Sequence, residues 1–214
     1  MRQKLKLVFA MLLCSTLLCT TGCWDNRELD SLSIVTGVGI DTSKEPGNLD
    51  LSFQIASVQN GSKKEGGGGE AAPYLIREAQ DRFVLGGIDS LRYGNSRQLF
   101  LQHNQVIIFG SDVAKSGVKP YLDSFMRNTE TRMEVWVMVA KNDARSILTT
   151  ETVQDKIPSV ALSRMIMNER AISPYSSTNM LQFTSRLVDR STAPVTLVVA
   201  VSYTHLRAHE TRED

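Results

Sequence analysis

Cysteine is confined to the first 23 of the 214 residues, at Cys14, Cys19 and Cys23. Because no thiol follows Cys23, the rest of the chain cannot form an internal disulfide, and its fold must depend on burial. Apolar residues make up 42% of the sequence, enough for a substantial core. The mainly apolar stretch at residues 7–18 is shorter than the roughly 20 residues that span a bilayer.

Residue patterns typical of enzymes are also missing from the sequence. It contains no Gly-x-Ser-x-Gly elbow and no phosphate-binding loop. Gly37-Val38-Gly39 lacks the third glycine of a dinucleotide-binding motif and lies inside a predicted strand, which favours close packing at this position. His103, the only histidine outside the last ten residues, has no assigned nucleophile or carboxylate. We interpret it as a hydrogen-bonded residue before a strand, and predict no catalytic residue, cofactor or metal site.

The first 22 residues have the order of a secretory leader. Arg2, Lys4 and Lys6 precede the apolar stretch, and small residues lie directly before Cys23. This order is typical of a bacterial lipoprotein, although Thr20 stands where Leu is usual; an ordinary cleaved leader and an uncleaved anchor are the alternatives. Diacylglycerol on Cys23 would supply the two acyl chains that stable anchoring needs. We therefore predict a signal peptide over residues 1–22 and a lipid anchor on the extracytoplasmic face of the membrane.

Removal of this leader changes the charge of the chain. The formal net charge is +1 for the whole sequence, and it becomes about −2 without the three leader cations. A nucleic-acid-binding protein needs a basic face. We therefore predict no nucleic-acid partner.

Ordered sequence blocks resemble a known family. They are Gly22-Cys23-Trp24-Asp25-x-Arg27-Glu28-Leu29, residues 34–41 (IVTGVGID), residues 103–110 (HNQVIIFG) and residues 127–132 (RNTETR). Together they resemble the Ger(x)C lipoproteins, the C subunits of spore germinant receptors. The resemblance implies a non-enzymatic subunit that is anchored at the inner spore membrane and acts with integral-membrane A- and B-type subunits. A stand-alone solute-binding lipoprotein is the alternative.

Charged and aromatic residues in these blocks are candidates for partner binding. They are Trp24, Asp25, Arg27, Glu28, Arg127, Glu130 and Arg132. The last three alternate in charge before a predicted strand, so they form either a surface ion-pair network of little energy or a contact with a partner subunit. Trp24 has two interpretations as well, since it could settle at the membrane interface or pack on the domain.

Hydrophobic periodicity predicts an α+β fold with a mixed sheet covered by helices, the N-terminal domain of a longer multi-domain lipoprotein. Alternation predicts a hairpin of strands around residues 32–38 and 49–55. The other predicted strands are 106–109, 133–140 and 195–201. The predicted helices are 76–91, 111–116, a helix from Pro120 past Phe125, 143–148, 158–168 and 178–189. The last of these helices has an apolar stripe formed by Met180, Leu181, Thr184, Leu187 and Val188.

The end of the sequence differs in character from the rest. Residues 202–214 follow a predicted strand abruptly and resemble a peptide that arises when adapter sequence is translated. We therefore expect a domain over residues 23–201, truncated relative to its family, followed by a non-native tail over residues 202–214.

Overall fold

The computed structural model describes residues 2–18, 31–57, 72–94, 97–152, 155–170, 177–189 and 191–201. The chain divides into two units, residues 1–31 and residues 32–214. In the first unit, helix α1 spans Arg2–Leu18. Within the described part of the chain, no helix combines the length and the apolar character needed to cross a bilayer.

The second unit contains a mixed sheet and six helices among its described residues. The strands are β1 (Leu32–Thr42), β2 (Leu49–Ala56), β3 (Tyr74–Asp81), β4 (Gln98–Phe100), β5 (Val106–Phe109), β6 (Trp136–Ala140), β7 (Thr178–Asn179) and β8 (Leu197–Val199). The helices are α2 (Val84–Tyr93), α3 (Ser111–Ser116), α4 (Lys119–Arg127), α5 (Ala144–Thr149), α6 (Pro158–Arg170) and α7 (Met180–Val188).

The strand order is β3-β2-β1-β5-β6-β7, with β4 paired to β1 and β8 paired to β6. The β1–β2 hairpin and the β2–β3 pair are antiparallel, whereas β1, β5 and β6 run parallel to each other. The sheet therefore has an amino edge, where β1, β5 and β6 begin at Leu32, Val106 and Trp136, and a carboxyl edge, where they end.

Helices cover both faces of this sheet. One apolar cluster joins the strands to α2, α3, α4 and α7 through residues such as Val84, Val113, Phe125 and Phe183. A second cluster on the other face joins β5 and β6 to α5 and α6. The predicted α+β fold, a mixed sheet covered by helices, is confirmed.

Strands β5 and β6 are central, as their apolar sequences predict. Ile107 and Phe109 belong to the first cluster, while Val106 and Ile108 belong to the second. Strand β6 and the residue before it divide in the same way, with Val135 and Val137 on one face and Trp136 and Met138 on the other. Continuous apolar sequence is typical of a strand that is buried on both faces.

The predicted helix over residues 76–91 is wrong in its first half. Residues 74–81 form β3, which pairs with β2 along its whole length. Ile76 contacts the second apolar cluster and Ala79 contacts the first, so the two residues lie on opposite faces of a strand. Their spacing also fits a helix, but the backbone hydrogen bonds to β2 decide the outcome. The helix is α2, which starts at Val84.

The last predicted helix is shorter than expected. Thr178 and Asn179 join the sheet as β7, and Asn179 caps α7 in a reciprocal pair with Gln182. The predicted apolar stripe is partly wrong, because Leu181 and Val188 are exposed while Phe183 is buried. A helix that packs on a sheet buries residues three and four apart, here Met180, Phe183, Thr184 and Leu187.

Gly37 marks a close approach between the sheet and two helices. A Cβ atom at this position would lie 2.8 Å from Leu148 Cδ2 and 2.8 Å from Ser159 Cβ. Both distances are shorter than carbon–carbon contacts allow. The absence of a side chain at Gly37 therefore lets α5 and α6 approach β1, as the close-packing interpretation of Gly37-Val38-Gly39 predicts.

Candidate functional site

The amino edge carries the candidate partner-binding residues of the domain. Helices α2 and α4 both lead into strands that start there, so their last residues, Tyr93 and Arg127, lie at this edge. Asn128 organises the turn after α4, since its Oδ1 accepts a hydrogen bond from the Glu130 amide at 2.9 Å and its carbonyl accepts one from the Thr131 amide. The turn thereby fixes the position of Glu130.

Glu130 joins this turn to α2. Its Oε2 lies 3.1 Å from Nη2 of Arg92, and the Glu130 side chain is only 14% exposed. Arg92 also contacts Asp89 one turn earlier in α2, at 3.4 Å. A charge-assisted hydrogen bond that is shielded from water is stronger than an exposed ion pair. Glu130 is therefore positioned to hold the α4–β6 connection against α2.

Arg127 and Arg132 do not share the bridge formed by Glu130. Arg127 Nε contacts Asp123 Oδ2 at 2.7 Å within α4, and both side chains are exposed. Arg132 is exposed on the approach to β6. The structure thus assigns the three residues separate surroundings, and the two arginines present their charge to solvent. Their role in binding a partner stays a prediction.

The other predicted site residues precede the sheet. Cys23, Trp24, Asp25, Arg27 and Glu28 lie outside the described residues. Residues 58–71 and 202–214 are likewise outside. The lipid anchor, the role of Trp24 and the predicted non-native tail therefore stay predictions.

His103 lies in the loop before β5. Its ring is exposed and packs against Phe100, with ring centroids 5.6 Å apart. Its backbone carbonyl accepts a hydrogen bond from Gln105 Nε2 at 3.0 Å. The contact described for the imidazole is thus aromatic rather than the expected hydrogen bond.

Asp41 is a half-buried carboxylate at the carboxyl edge that links three chain segments. Its Oδ1 accepts from the Ala144 amide at 2.7 Å, and its Oδ2 accepts from the Arg145 amide at 3.0 Å. Asp41 thereby caps α5 from the end of β1, in addition to the local cap by Asp143. A Cβ atom at Gly110 would lie 2.1 Å from Asp41 Oδ1, so only glycine fits there without displacing this carboxylate.

Burial raises the pKa of Asp41 above its usual value, although the two amide hydrogen bonds act in the opposite direction. The negative charges of Asp143 and Asp50 add to the increase. A cleft of about 550 Å³ lies beside Asp41 and contains Glu78 and Arg145. Those two side chains form an ion pair with each other, which raises the pKa of Arg145. The charged groups of this cleft are therefore already bonded to protein groups, as in a structural network.

Gln54 is a second polar contact between the sheet and helices α5 and α6. Its side chain is fully buried, donates to the Leu148 carbonyl at 2.6 Å and accepts from the Ser159 amide at 3.0 Å. Sequence reasoning missed both Gln54 and Asp41 as tertiary contacts, because their partners are about a hundred residues away. No pattern along the chain singled out Gln54, because alternation places it on the same face of β2 as the polar Asp50 and Ser52.

Residues 25–201 match the family described as the spore germination protein N-terminal domain. The chain belongs to this family. The match covers the whole described sheet, and it confirms the resemblance to the Ger(x)C proteins. Membership of this family connects the chain with spore germination.

Three curated relatives from Bacillus subtilis (strain 168) show the same relationship. Spore germination protein KC is 30% identical over 165 residues, which cover 75% of this chain and 40% of KC. Spore germination protein YndF is 29% identical over 199 residues, with coverages of 81% and 48%. YfkR is 28% identical over 201 residues, with coverages of 93% and 50%. The chain thus spans half or less of the length of these relatives, and no solved structure matches it.

Proposed function

We propose that this chain is the N-terminal part of a non-enzymatic, lipid-anchored subunit of a spore germinant receptor. In this proposal diacylglycerol on Cys23 holds it at the inner spore membrane, and its partners are integral-membrane A- and B-type subunits. The observation that carries the proposal is the family match, which begins at residue 25, two residues after Cys23.

A lipid anchor has a direct physical consequence for such a complex. Each buried methylene contributes about 0.8 kcal/mol to membrane binding, so two acyl chains hold a protein stably. Confinement to the membrane raises the effective concentration of the domain near membrane partners, which turns weak docking into stable association. The anchor would therefore contribute to assembly even though it lies outside the folded domain.

The names of the relatives refer to spore germination and not to a chemical reaction. This supports a role in assembly or coupling of the receptor. The proposed contact with the membrane subunits uses the exposed Arg127 and Arg132, together with Trp24, Asp25, Arg27 and Glu28 beside the anchor. Arginine is frequent at the buried centres of protein interfaces.

Spores that lack the protein provide the direct test. In a host without a redundant receptor, we expect the deletion to abolish the fall in optical density after nutrient addition, while germination through routes that bypass receptors continues. Cys23→Ala is expected to weaken the nutrient response, and intact-mass analysis should show the loss of the acyl group. A normal nutrient response in the deletion strain would reject the receptor and favour the stand-alone solute-binding lipoprotein.

The contact residues are tested separately. The double variant Arg127→Ala/Arg132→Ala should melt at nearly the wild-type temperature but co-purify less well with the membrane subunits. Lys44→Ala/Lys141→Ala removes the same charge from exposed positions at the carboxyl edge and serves as the matched control. Equal co-purification of the two double variants would show that these arginines are not the contact.

A further inference from the structure

Strand β4 places the end of α2 beside the start of β1. Gln98 is the register partner of Leu32, and Phe100 is the partner of Ile34. Tyr93, the last residue of α2, and Arg97, directly before β4, therefore lie at the corner of the amino edge where the chain enters the sheet. This α2–β4 corner is defined here by Tyr93 and Arg97.

Both side chains at the α2–β4 corner are open to solvent. Tyr93 is 93% exposed, the largest exposed fraction among the exposed large apolar side chains of the described residues. Arg97 is exposed too, and no salt bridge to it occurs among the residues that the structure describes. The neighbouring Arg92 is already bonded to Asp89 and Glu130. The corner thus offers an exposed aromatic ring and, four residues later, an exposed guanidinium that forms no salt bridge with a described residue.

Chain length limits how far the amino edge can lie from the membrane. This step rests on the proposed anchor at Cys23. Eight residues separate Cys23 from Leu32, and even a fully extended chain of that length spans only about 30 Å. The 11 residues of β1 are joined by ten Cα–Cα steps and span about 33 Å at ~3.3 Å per residue. The anchor therefore keeps Leu32, at the amino edge, within about 30 Å of the membrane, whereas Thr42 at the other end of β1 can lie farther away.

We propose that the α2–β4 corner contacts anionic lipid headgroups and so holds the domain with its amino edge toward the membrane. Tyrosine is enriched at membrane interfaces because its ring is apolar and its hydroxyl is polar. Arginine near an anionic surface is attracted to the headgroups. In this orientation Arg127 and Arg132, at the same edge, face the level at which integral-membrane subunits emerge.

Site-specific fluorescence in vesicles tests the orientation. The lipidated full chain is reconstituted into vesicles of phosphatidylglycerol and phosphatidylcholine that contain a headgroup spin-label quencher. After cleavage of the leader, the native thiol at Cys23 is acylated, so one introduced cysteine takes the fluorophore alone. Gln98→Cys and Thr42→Cys are matched sites, since both residues are exposed. Gln98 pairs with Leu32, the first residue of β1, and Thr42 is its last residue. We expect strong quenching at residue 98 and little at residue 42.

Variants at the two ends of α2 test the lipid contact itself. Tyr93→Ser/Arg97→Ser removes the corner, whereas Arg82→Ser/Phe83→Ser removes an exposed cation and an exposed aromatic ring from the start of the same helix. Loss of Arg97 alone should lower the ratio of membrane-facing to free orientations about fivefold. We expect the first double variant to lose the quenching contrast and the second to keep it. The contrast should also shrink in vesicles of phosphatidylcholine alone.

Other results would contradict the orientation, the lipid contact or the anchor. Equal quenching at residues 42 and 98 would overturn the orientation. A contrast that survives in Tyr93→Ser/Arg97→Ser would show that the chain length alone orients the domain and would reject the lipid contact. Protection of residue 98 only when membrane subunits are present would assign the corner to a protein partner instead. Intact mass of the same sample separates these failures from a failure of the anchor, because an unacylated chain rejects the proposed function first.

Discussion

Asp41 shows how one side chain can connect distant parts of this domain. It lies at the end of β1, accepts hydrogen bonds from two amides at the start of α5, and requires glycine at position 110 after β5. These contacts keep the carboxylate in place although burial disfavours its charge. The balance between burial and hydrogen bonding makes the stability of the domain depend on pH at this residue.

The sign of that dependence follows from the pKa. Because burial raises the pKa of Asp41 above its usual 3.8, the folded protein binds the proton more tightly than the unfolded chain does. Its contribution to stability is therefore full below about pH 3.8 and is lost as the pH rises through the higher folded pKa. We expect the unfolding free energy of wild type, relative to Asp41→Asn, to fall over this pH range and then stay constant.

Urea unfolding at several pH values measures this difference. Asp112→Asn is the matched control, since Asp112 is an exposed aspartate at the same edge, paired with Lys115. A difference between wild type and Asp41→Asn that rises with pH would show that hydrogen bonding outweighs burial at Asp41. A difference that does not change with pH would show that the two effects cancel.

Among the secondary-structure elements, α2 and α4 pack in the same apolar cluster, and the Arg92–Glu130 ion pair adds a polar contact between α2 and the α4–β6 connection. Glu130 contacts Arg92 and is mostly buried, whereas Arg127 contacts Asp123 on the surface of α4. The two pairs come from one sequence block but differ in their exposure to water. They should therefore differ in their contribution to stability.

We expect Glu130→Gln to lower the unfolding free energy by about 1–3 kcal/mol, because it weakens a charge-assisted hydrogen bond and leaves Arg92 poorly compensated. Asp123→Asn, the control, should cost less than about 1 kcal/mol, as is usual for exposed pairs. Chemical denaturation measures both values. An equal loss of unfolding free energy in the two variants would show that Glu130 contributes no more than an exposed ion pair.

Predictions for individual elements succeeded where the sequence pattern had one interpretation. The β1–β2 hairpin and the central strands β5 and β6 were predicted because alternation or continuous apolar sequence specifies them. Strand β3 was not predicted, because Ile76 and Ala79 also fit a helical spacing and its pairing with β2 involves residues distant in sequence. The prediction that Leu181 and Val188 belong to the apolar stripe of α7 was wrong for a similar reason. Apolar character alone does not specify which side of α7 faces the sheet.

For the whole domain, β8 completes the described sheet on one side of β6. It pairs in parallel with β6, and the Lys141 amide donates to the Val199 carbonyl at 2.8 Å. The family match also ends at residue 201. The last residues needed for the fold should therefore lie at or before Val201.

A chain that ends at Val201 should melt within about 4 °C of the full chain, a shift that corresponds to ~1 kcal/mol for a domain of this size. A chain that ends at Pro194 is the control, because it also lacks β8 and its hydrogen bonds to β6; its melting temperature should fall much further. Calorimetry measures both. A large fall for the chain ending at Val201 would show that residues 202–214 contribute to the core.

By itself the sequence determined the family, the α+β class and the apolar strands at the centre of the sheet. These depend on local order along the chain, namely the period of apolar residues and the ordered motifs around Cys23, Asp41, Gly110 and Arg127. Only the tertiary structure decided that Asp41 caps α5, that Gln54 joins β2 to α5 and α6, and that Tyr93 and Arg97 lie where the chain enters the sheet. The reason is physical: each of these contacts joins segments far apart in sequence, and a hydrogen bond or register between such segments exists only after the chain has folded.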